Sequence, residues 1–481
     1  MKAHKKIGML SLALLITGSV DSIRNMPTTA LFGPQLIFFA VLGALFFLIP
    51  IGLVSAELVT TKDLKSGVYQ WVKVALGKRA AFFAIWLQWI NTLVWYPTIL
   101  SFIAGTAAYL INPALAQNKW YLVAVILIVF WSLTGVNLKG IKVATTVASV
   151  CTLLGVVIPM LLIISLGLVW VAKGFPLQIH FAHTTVLPTF NDVNSWISLT
   201  AIITSFLGME LAAVHAKEVE NPQKNFPRSL CFSVFFIMAT MILGSLVIAL
   251  VLPQKSIHLV DGTMQVFTQF FNAYHMDWLL PFLVGALVVG SIGSMINWVI
   301  SPAQGLLQAA EDAFLPTFFR KINQNGVASH LILIQAVLVT VMCLAFVLMP
   351  SVNGSYWLLM DLSTQLYVIM YVVMFIAAWK FKWENPNRAA TFKIWGGKIG
   401  MVITALFGLM GCLVTFVIGF VPPGDINVGS ALHFIAIFSM GLVIMILPVF
   451  AFYPYEKRNR LMSGLATSIQ VSRELERTQN A

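Results

Sequence analysis

Apolar stretches of about 20 residues recur along the whole of this chain, and each is long enough to cross the hydrocarbon core of a bilayer as a helix. Hydrophobic residues make up 59% of the 481 residues, and charged residues only 10%. A soluble protein uses apolar residues for about half of its sequence and could not bury this much apolar surface. The sequence therefore predicts an all-α polytopic membrane protein.

Twelve transmembrane helices are predicted, joined by short polar loops. They cover about residues 7–32, 35–59, 80–110, 119–136, 143–172, 194–215, 229–252, 278–309, 331–349, 356–379, 399–421 and 431–454. We interpret residues 1–454 as a single integral membrane domain and 455–481 as a tail. Helical spacing of apolar residues predicts two further helices at the surface, within 65–77 and 259–274.

The net charge of +12 is distributed in a way that indicates a membrane orientation and no nucleic-acid partner. Lys and Arg concentrate in alternate loops, as the positive-inside rule describes. The other set of loops holds only Lys119, Lys173 and Lys255. We therefore expect both termini, and the tail, to be cytoplasmic.

The first predicted span is interrupted by a polar segment, residues 17–27, with the sequence TGSVDSIRNMP. A helix that opens inside a membrane is tolerated only where protein or a water-filled cavity satisfies its free peptide groups. Charged side chains at this depth, here Asp21 and Arg24, are costly and usually mark a ligand or ion pathway. The segment predicts a polar site near the bilayer midplane.

A second polar interruption lies in the sixth span, between Thr204 and Glu210. Gly208 weakens a helix there, and Glu210 is a costly residue inside a membrane. Spans one and six occupy corresponding positions in two five-helix halves. Discontinuous helices at matching positions are the best indication in a sequence of a transporter's binding site.

Two motifs resemble the amino acid–polyamine–organocation superfamily of transporters. One is Gly208-Met209-Glu210 followed by residues 217–228, KEVENPQKNFPR, and the other is residues 66–69, SGVY, with Leu76-Gly77. Within that superfamily, the chain is most similar to the bacterial glutamate/γ-aminobutyrate antiporters. The resemblance extends over nearly the whole chain.

This resemblance implies a five-plus-five inverted repeat with discontinuous helices 1 and 6. Repeat one would cover about 7–172, repeat two about 194–380, and helices 11 and 12 about 399–454. It also implies alternating access in a bacterial cytoplasmic membrane and exchange of an amino acid for a related amino acid or amine.

The resemblance also implies where the substrate binds. Backbone N–H groups at the first break would meet its carboxylate, here those of Thr17, Gly18, Ser19 and Val20. Carbonyl groups at the second break would meet its ammonium, here those of Thr204, Ser205 and Phe206. The helix ends have the partial charges that such contacts require.

The charged residues at the breaks have two interpretations each. Asp21 and Arg24 could form a buried ion pair, or Arg24 could bind a substrate carboxylate and Asp21 an amine. For Glu210 we favour a structural role over proton coupling. Asp361 could line an outer gate, and Trp298 could line the cavity or simply pack between helices.

A proton- or sodium-coupled symporter and a non-transporting amino acid sensor remain alternatives to an antiporter. We do not expect an enzyme, a cofactor or a metal site, because no nucleophile–base motif, metal-ligand spacing or nucleotide-binding loop is recognisable. The expected partners are a small amino acid and the lipid bilayer, and a homodimer is compatible with the sequence.

Overall fold

The computed structural model describes residues 8–20, 22–61, 64, 67–140, 150–151, 153–179, 186–188, 193–213, 220–312 and 314–458. This part of the chain is helical, apart from loops and one β-bridge between Thr61 and Ala390. The prediction of an all-α protein is confirmed. Asp21 and the tail from residue 459 onwards lie outside the described residues.

The helices follow the apolar segments of the sequence. The first half of the chain contains α1 (Met9–Val20), α2 (Met26–Ala30), α3 (Gln35–Gly43), α4 (Ile49–Thr60), α5 (Val68–Leu76), α6 (Lys78–Ala108), α7 (Lys119–Leu138) and α8 (Ile158–Ala172). The second half contains α9 (Val193–Ser205), α10 (Met209–Ala213), α11 (Pro222–Val251), α12 (Gly262–Tyr274), α13 (Leu280–Glu311), α14 (Ser329–Met342), α15 (Ala345–Leu348), α16 (Val352–Glu384), α17 (Gly397–Ile418) and α18 (Ala431–Ile446).

Among the described residues, eight helical segments are long and apolar enough to span a membrane. They include Gln35–Thr60, in which a π-helical turn joins α3 to α4, and Ala431–Arg458, which extends α18 beyond residue 454. Ser195–Leu211 and Asp277–Gly293 are shorter apolar segments. The chain is therefore a multi-pass membrane protein, while the count of twelve and the repeat layout remain predictions.

Local sequence determines several helix starts. The side chain of Asn118 accepts hydrogen bonds from the N–H groups of Trp120 and Tyr121, and Ser351 accepts one from Gly354. These are N-caps, which satisfy N–H groups that lack a partner within the helix. Gly77 separates α5 from α6 with a φ of 89°, a conformation that glycine adopts without steric cost.

The two long helices α6 and α16 pack against each other at the centre of the bundle. The broken spans surround them: α1 packs against α10 and α11, whereas α9 packs against α2, α3 and α16. The two interrupted helices therefore contact each other directly, since α1 packs against α10 and α2 packs against α9.

A buried ion pair joins two helices at one end of the bundle. Lys382 at the end of α16 pairs with Glu57 at the end of α4, and Glu57 also accepts a hydrogen bond from the Ile394 N–H at 2.8 Å. Glu57 thus joins the ends of α4 and α16. Beside this pair, the predicted surface helix α5 packs against α6 and α16.

A second cluster at the same end joins α5 to the end of α13. Asp312 pairs with Lys73 and, at 2.6 Å, with Lys78, and it accepts a hydrogen bond from the Tyr69 hydroxyl at 2.7 Å. Burial opposes ionisation of Asp312, but the hydrogen bonds from Lys73, Lys78 and Tyr69 outweigh it and lower the pKa to about 2.

This pKa predicts how the cluster responds to acid. A carboxyl whose pKa is lower in the folded state stabilises that state above its unfolded pKa of about 3.8 and stops doing so below about 2. The difference in thermal unfolding temperature between wild type and Asp312→Asn should therefore be constant from pH 5 to pH 8 and shrink below pH 4. A difference that grows on acidification would contradict this assignment.

Candidate functional site

The first span breaks between α1 and α2, inside the predicted polar segment. Ser22 is extended, with φ −152° and ψ 124°, and residues Ile23–Asn25 form a 3-10 turn. Thr17, Gly18, Ser19 and Val20 lie in α1. Their N–H groups therefore point back along that helix, and the contact predicted between these four peptides and a substrate carboxylate stays a prediction. The N–H groups at the start of a helical segment, here those of Ile23 and Arg24, are the ones left without an acceptor in that segment.

Arg24 is buried at this break, with 6% of its surface exposed. Its guanidinium lies 4.5 Å from the ring centroid of Trp95 on α6, and its Nε donates to the Asn25 side chain at 3.3 Å. Tyr356 of α16 also lies beside it. Nη1 has no hydrogen-bond partner among the described residues, which do not include Asp21. A buried guanidinium with a free donor is well suited to bind an anion.

The sixth span breaks between α9 and α10, where it was predicted to. Residues 206–208 form a turn in which Gly208 has a φ of 99°. The Phe206 and Leu207 N–H groups donate to the carbonyls of Ile203 and Thr204. No backbone N–H of the described residues donates to the carbonyls of Ser205 and Phe206. These carbonyls end a half-helix, where the helix dipole favours a cation.

Glu210 begins the second half of the sixth span and is held by three side chains. The hydroxyls of Tyr367 and Tyr371 donate to its two carboxylate oxygens, and Gln88 Nε2 donates to Oε1 at 3.2 Å. Tyr371 also accepts a hydrogen bond from the Gly208 N–H at 3.1 Å. The carboxylate therefore ties the break to α6 and α16, which supports its structural interpretation.

Further polar contacts connect α16 to α9 and to α6. The hydroxyls of Thr204 and Thr364 are 2.5 Å apart, and Ser363 donates to Asn91 on α6 at 2.5 Å. The face of α6 that carries Gln88 and Asn91 thus turns toward the interior. These contacts position α16 against the sixth-span break.

Two predicted residues lie elsewhere or have no described side chain. Asp361 faces α17 rather than the breaks, because its carboxyl lies beside Gly419 and accepts a hydrogen bond from Gln365. Its role in an outer gate stays a prediction. Trp298 lies in α13, but its side chain is outside the described part of the structure.

The predicted surface helix α12 covers the first break from the end of the bundle opposite α5. Thr263 donates to the Ile23 carbonyl at 3.4 Å, and a Cβ at Gly262 would lie 2.9 Å from Pro27. Just before α12, the buried Asp261 accepts hydrogen bonds from Tyr109 and from Gln117, each at 2.9 Å. In this conformation, these contacts hold α12 against the first break.

Comparison with known proteins now assigns the chain to a family. Residues 7–447 match the model of a family described as amino acid permease. The chain belongs to the amino acid permease family. This confirms the resemblance to the amino acid–polyamine–organocation superfamily, whose members are transporters rather than enzymes.

Three relatives of this permease illustrate the range of the family. An uncharacterized transporter of Legionella pneumophila is 37% identical over 444 residues, which are 92% of this chain and 96% of that protein. A glutamate/gamma-aminobutyrate antiporter of Lactococcus lactis is 29% identical over 462 residues, 95% and 92% of the two chains. A putrescine transporter of Haemophilus influenzae is 26% identical over 362 residues, 73% and 80% of the two chains.

The tyrosines of α16 were not among the residues predicted from the sequence. Tyr356 lies beside Arg24, whereas Tyr367 and Tyr371 bind Glu210. The four-residue spacing of Tyr367 and Tyr371 places both hydroxyls on one helical face and was a usable signal. Their partner Glu210 is distant in sequence, so the spacing alone did not identify it.

Proposed function

We propose that this permease exchanges an amino acid for a related amino acid or amine by alternating access across a bacterial cytoplasmic membrane, with both termini cytoplasmic. The observation that supports the proposal is the pair of interrupted helices in contact. Within the described part of the chain, Nη1 of buried Arg24 at one break and the carbonyls of Ser205 and Phe206 at the other have no hydrogen-bond partner. A zwitterion needs donors for its carboxylate and acceptors for its ammonium, and both are present here.

In this proposal, Arg24 Nη1 and the N–H groups of Ile23 and Arg24 bind the substrate carboxylate. The carbonyls of Ser205 and Phe206 bind its ammonium. Thr204, Gly208 and Trp298 surround the rest of the substrate, and Asp21 is available to an amine. Because Glu210 is bound by Tyr367, Tyr371 and Gln88, it holds the second break in place rather than contacting substrate.

Counterflow in proteoliposomes tests the proposed exchange. The names of the lactococcal relatives make L-glutamate and γ-aminobutyrate the first pair to examine, followed by glutamine, branched and basic amino acids. We expect labelled amino acid to accumulate only in vesicles preloaded with an exchange partner, without any ion gradient. Uptake into empty vesicles that requires a sodium or proton gradient would instead identify a symporter, and binding without uptake would identify a sensor.

A further inference from the structure

A second buried carboxyl lies away from the proposed substrate site, between α16 and α17. Asp361 is only 1% exposed and is about 14 Å along α16 from Val352, at 1.5 Å per residue. Its Oδ1 accepts a hydrogen bond from Gln365 Nε2 at 2.9 Å. Its Oδ2 has no hydrogen-bond partner among the described residues.

Gln365, one turn further along α16, is also fully buried. Its Nε2 donates to the Thr415 carbonyl of α17 at 3.2 Å as well as to Asp361. A carbonyl can only accept, so this contact fixes the orientation of the Gln365 amide. Within the described chain, the amide oxygen Oε1 consequently has no donor. In the described part of the chain, two acceptor oxygens of this pair, Asp361 Oδ2 and Gln365 Oε1, therefore receive no hydrogen bond.

One proton accounts for both orphan oxygens. A protonated Asp361 has an O–H group at Oδ2 that can donate to Gln365 Oε1, while Oδ1 continues to accept from Nε2. The acid and the amide then form a ring of two hydrogen bonds. An ionised Asp361 would leave both oxygens unsatisfied and an uncompensated charge in a dry interior, which is strongly unfavourable. We propose that Asp361 is a proton-binding site, occupied in this conformation, whose proton is released and rebound during the transport cycle.

No described cation neutralises Asp361 in the place of a proton. On α17 the charged residue is Lys398, about 30 Å along the helix from Gly419 at 1.5 Å per residue. On α6 the cations are Lys78 and Arg79 at the opposite end, paired with Asp312 and Glu456.

The other titratable groups packed around α16 have contacts of their own. On α18, His433 lies near the Leu348 carbonyl. Lys73 of α5 pairs with Asp312, and Glu57 of α4 pairs with Lys382. Arg24 stacks on Trp95, and Tyr367 binds Glu210 on a different face of α16. The free Cys412 of α17 cannot carry a positive charge and so cannot neutralise Asp361.

The position of Asp361 on α16 connects its proton to the transport cycle, a step that rests on the proposed function. The same helix holds the sixth-span break through Thr364, Tyr367 and Tyr371. Its contact with α17 is close, since a Cβ at Gly419 would lie 2.1 Å from Gln365 Nε2. A movement of α16 relative to α17 therefore changes the Gln365–Thr415 contact, which orients the amide that binds Asp361.

Infrared difference spectroscopy tests whether Asp361 carries a proton. Asp361→Asn keeps a donor and an acceptor for Gln365 and should fold like wild type. At neutral pH, the wild-type spectrum should contain a protonated carboxylic acid band that Asp361→Asn lacks, with Glu210→Gln as the control for a second buried carboxyl. Loss of an ionised carboxylate band instead would overturn the proposal. If Asp361→Asn does not fold, Gln365→Leu provides a second test. It should shift the carboxylic acid band, and an unshifted band would contradict the proposed hydrogen bonds between Asp361 and Gln365.

Proton movement during exchange tests the coupling. We use proteoliposomes containing a pH-sensitive dye and the L-glutamate/γ-aminobutyrate pair, and we measure binding separately by thermal shift. Asp361→Asn should keep substrate binding but lower substrate-dependent proton movement at least tenfold. Equal proton movement in both proteins would overturn the coupling. Absence of exchange by wild type, with the acid band present, would reject the proposed function and retain the protonated site.

Discussion

Arg24→Ala is expected to yield a folded protein that no longer exchanges amino acids. Arg24 is buried at the first break, and its Nη1 has no hydrogen-bond partner among the described residues, so its removal eliminates a charged donor for the substrate carboxylate. Hydrogen bonds to charged groups contribute about 2 kcal/mol, which corresponds to about 30-fold weaker binding. Thermal-shift titration with the exchanged amino acid measures this loss, and counterflow measures its effect on transport.

Two comparisons make the Arg24 result specific. Arg320 is an exposed arginine near the end of α13, and Arg320→Ala should bind and exchange like wild type. Arg24→Lys keeps the charge but loses the planar pair of donors, so it should bind more weakly than wild type and better than Arg24→Ala. Undiminished exchange by a well-folded Arg24→Ala protein would remove Arg24 from the binding site.

Glu210→Ala is expected to destabilise the protein by about 3 kcal/mol or more. The substitution leaves the buried Tyr367 and Tyr371 hydroxyls and the Gln88 amide without their acceptor, and each unsatisfied buried group costs about 1–3 kcal/mol. Glu210→Gln retains one acceptor oxygen and should lose less. Thermal unfolding of the purified proteins in the same detergent measures the difference.

Glu384 provides the matched control for Glu210. It is exposed and lies 3.8 Å from Lys380, so Glu384→Ala should change stability by no more than about 1 kcal/mol. Equal unfolding temperatures for the Glu210 and Glu384 alanine variants would contradict the structural role of Glu210. A Glu210→Gln protein that kept its exchange rate but lost its pH dependence would favour the proton-coupling alternative.

The sequence predicted where polar residues interrupt the spans, but not which peptide leaves the helix. Thr17 and Ser19 carry hydroxyls and Gly18 lowers helix propensity, yet α1 continues to Val20. Hydroxyl side chains are compatible with a membrane helix, and propensity is a weak guide where tertiary packing decides. The sixth-span break was easier to locate, because Gly208 adopts a positive φ that other residues rarely tolerate.

Polar residues on α16 were harder to assign, since this helix is buried on more than one face. Thr364, Tyr367 and Tyr371 turn toward the sixth-span break, whereas Asp361 and Gln365, four residues apart, turn toward α17. Helical spacing places these two sets of residues on different faces of α16, but it does not identify the helix against which each face packs. That information comes from packing between segments distant in sequence.

Thiol protection at Ser22 tests most directly whether a substrate lies between the two breaks. Ser22→Cys is introduced after replacement of Cys151, Cys231, Cys343 and Cys412, and its alkylation by a small membrane-permeant reagent is followed with and without the exchanged amino acid. We predict that saturating amino acid slows alkylation at position 22 several-fold and leaves the exposed control Ser430→Cys unchanged. Equal rates at position 22, with an amino acid that the same variant exchanges, would show that the substrate binds elsewhere.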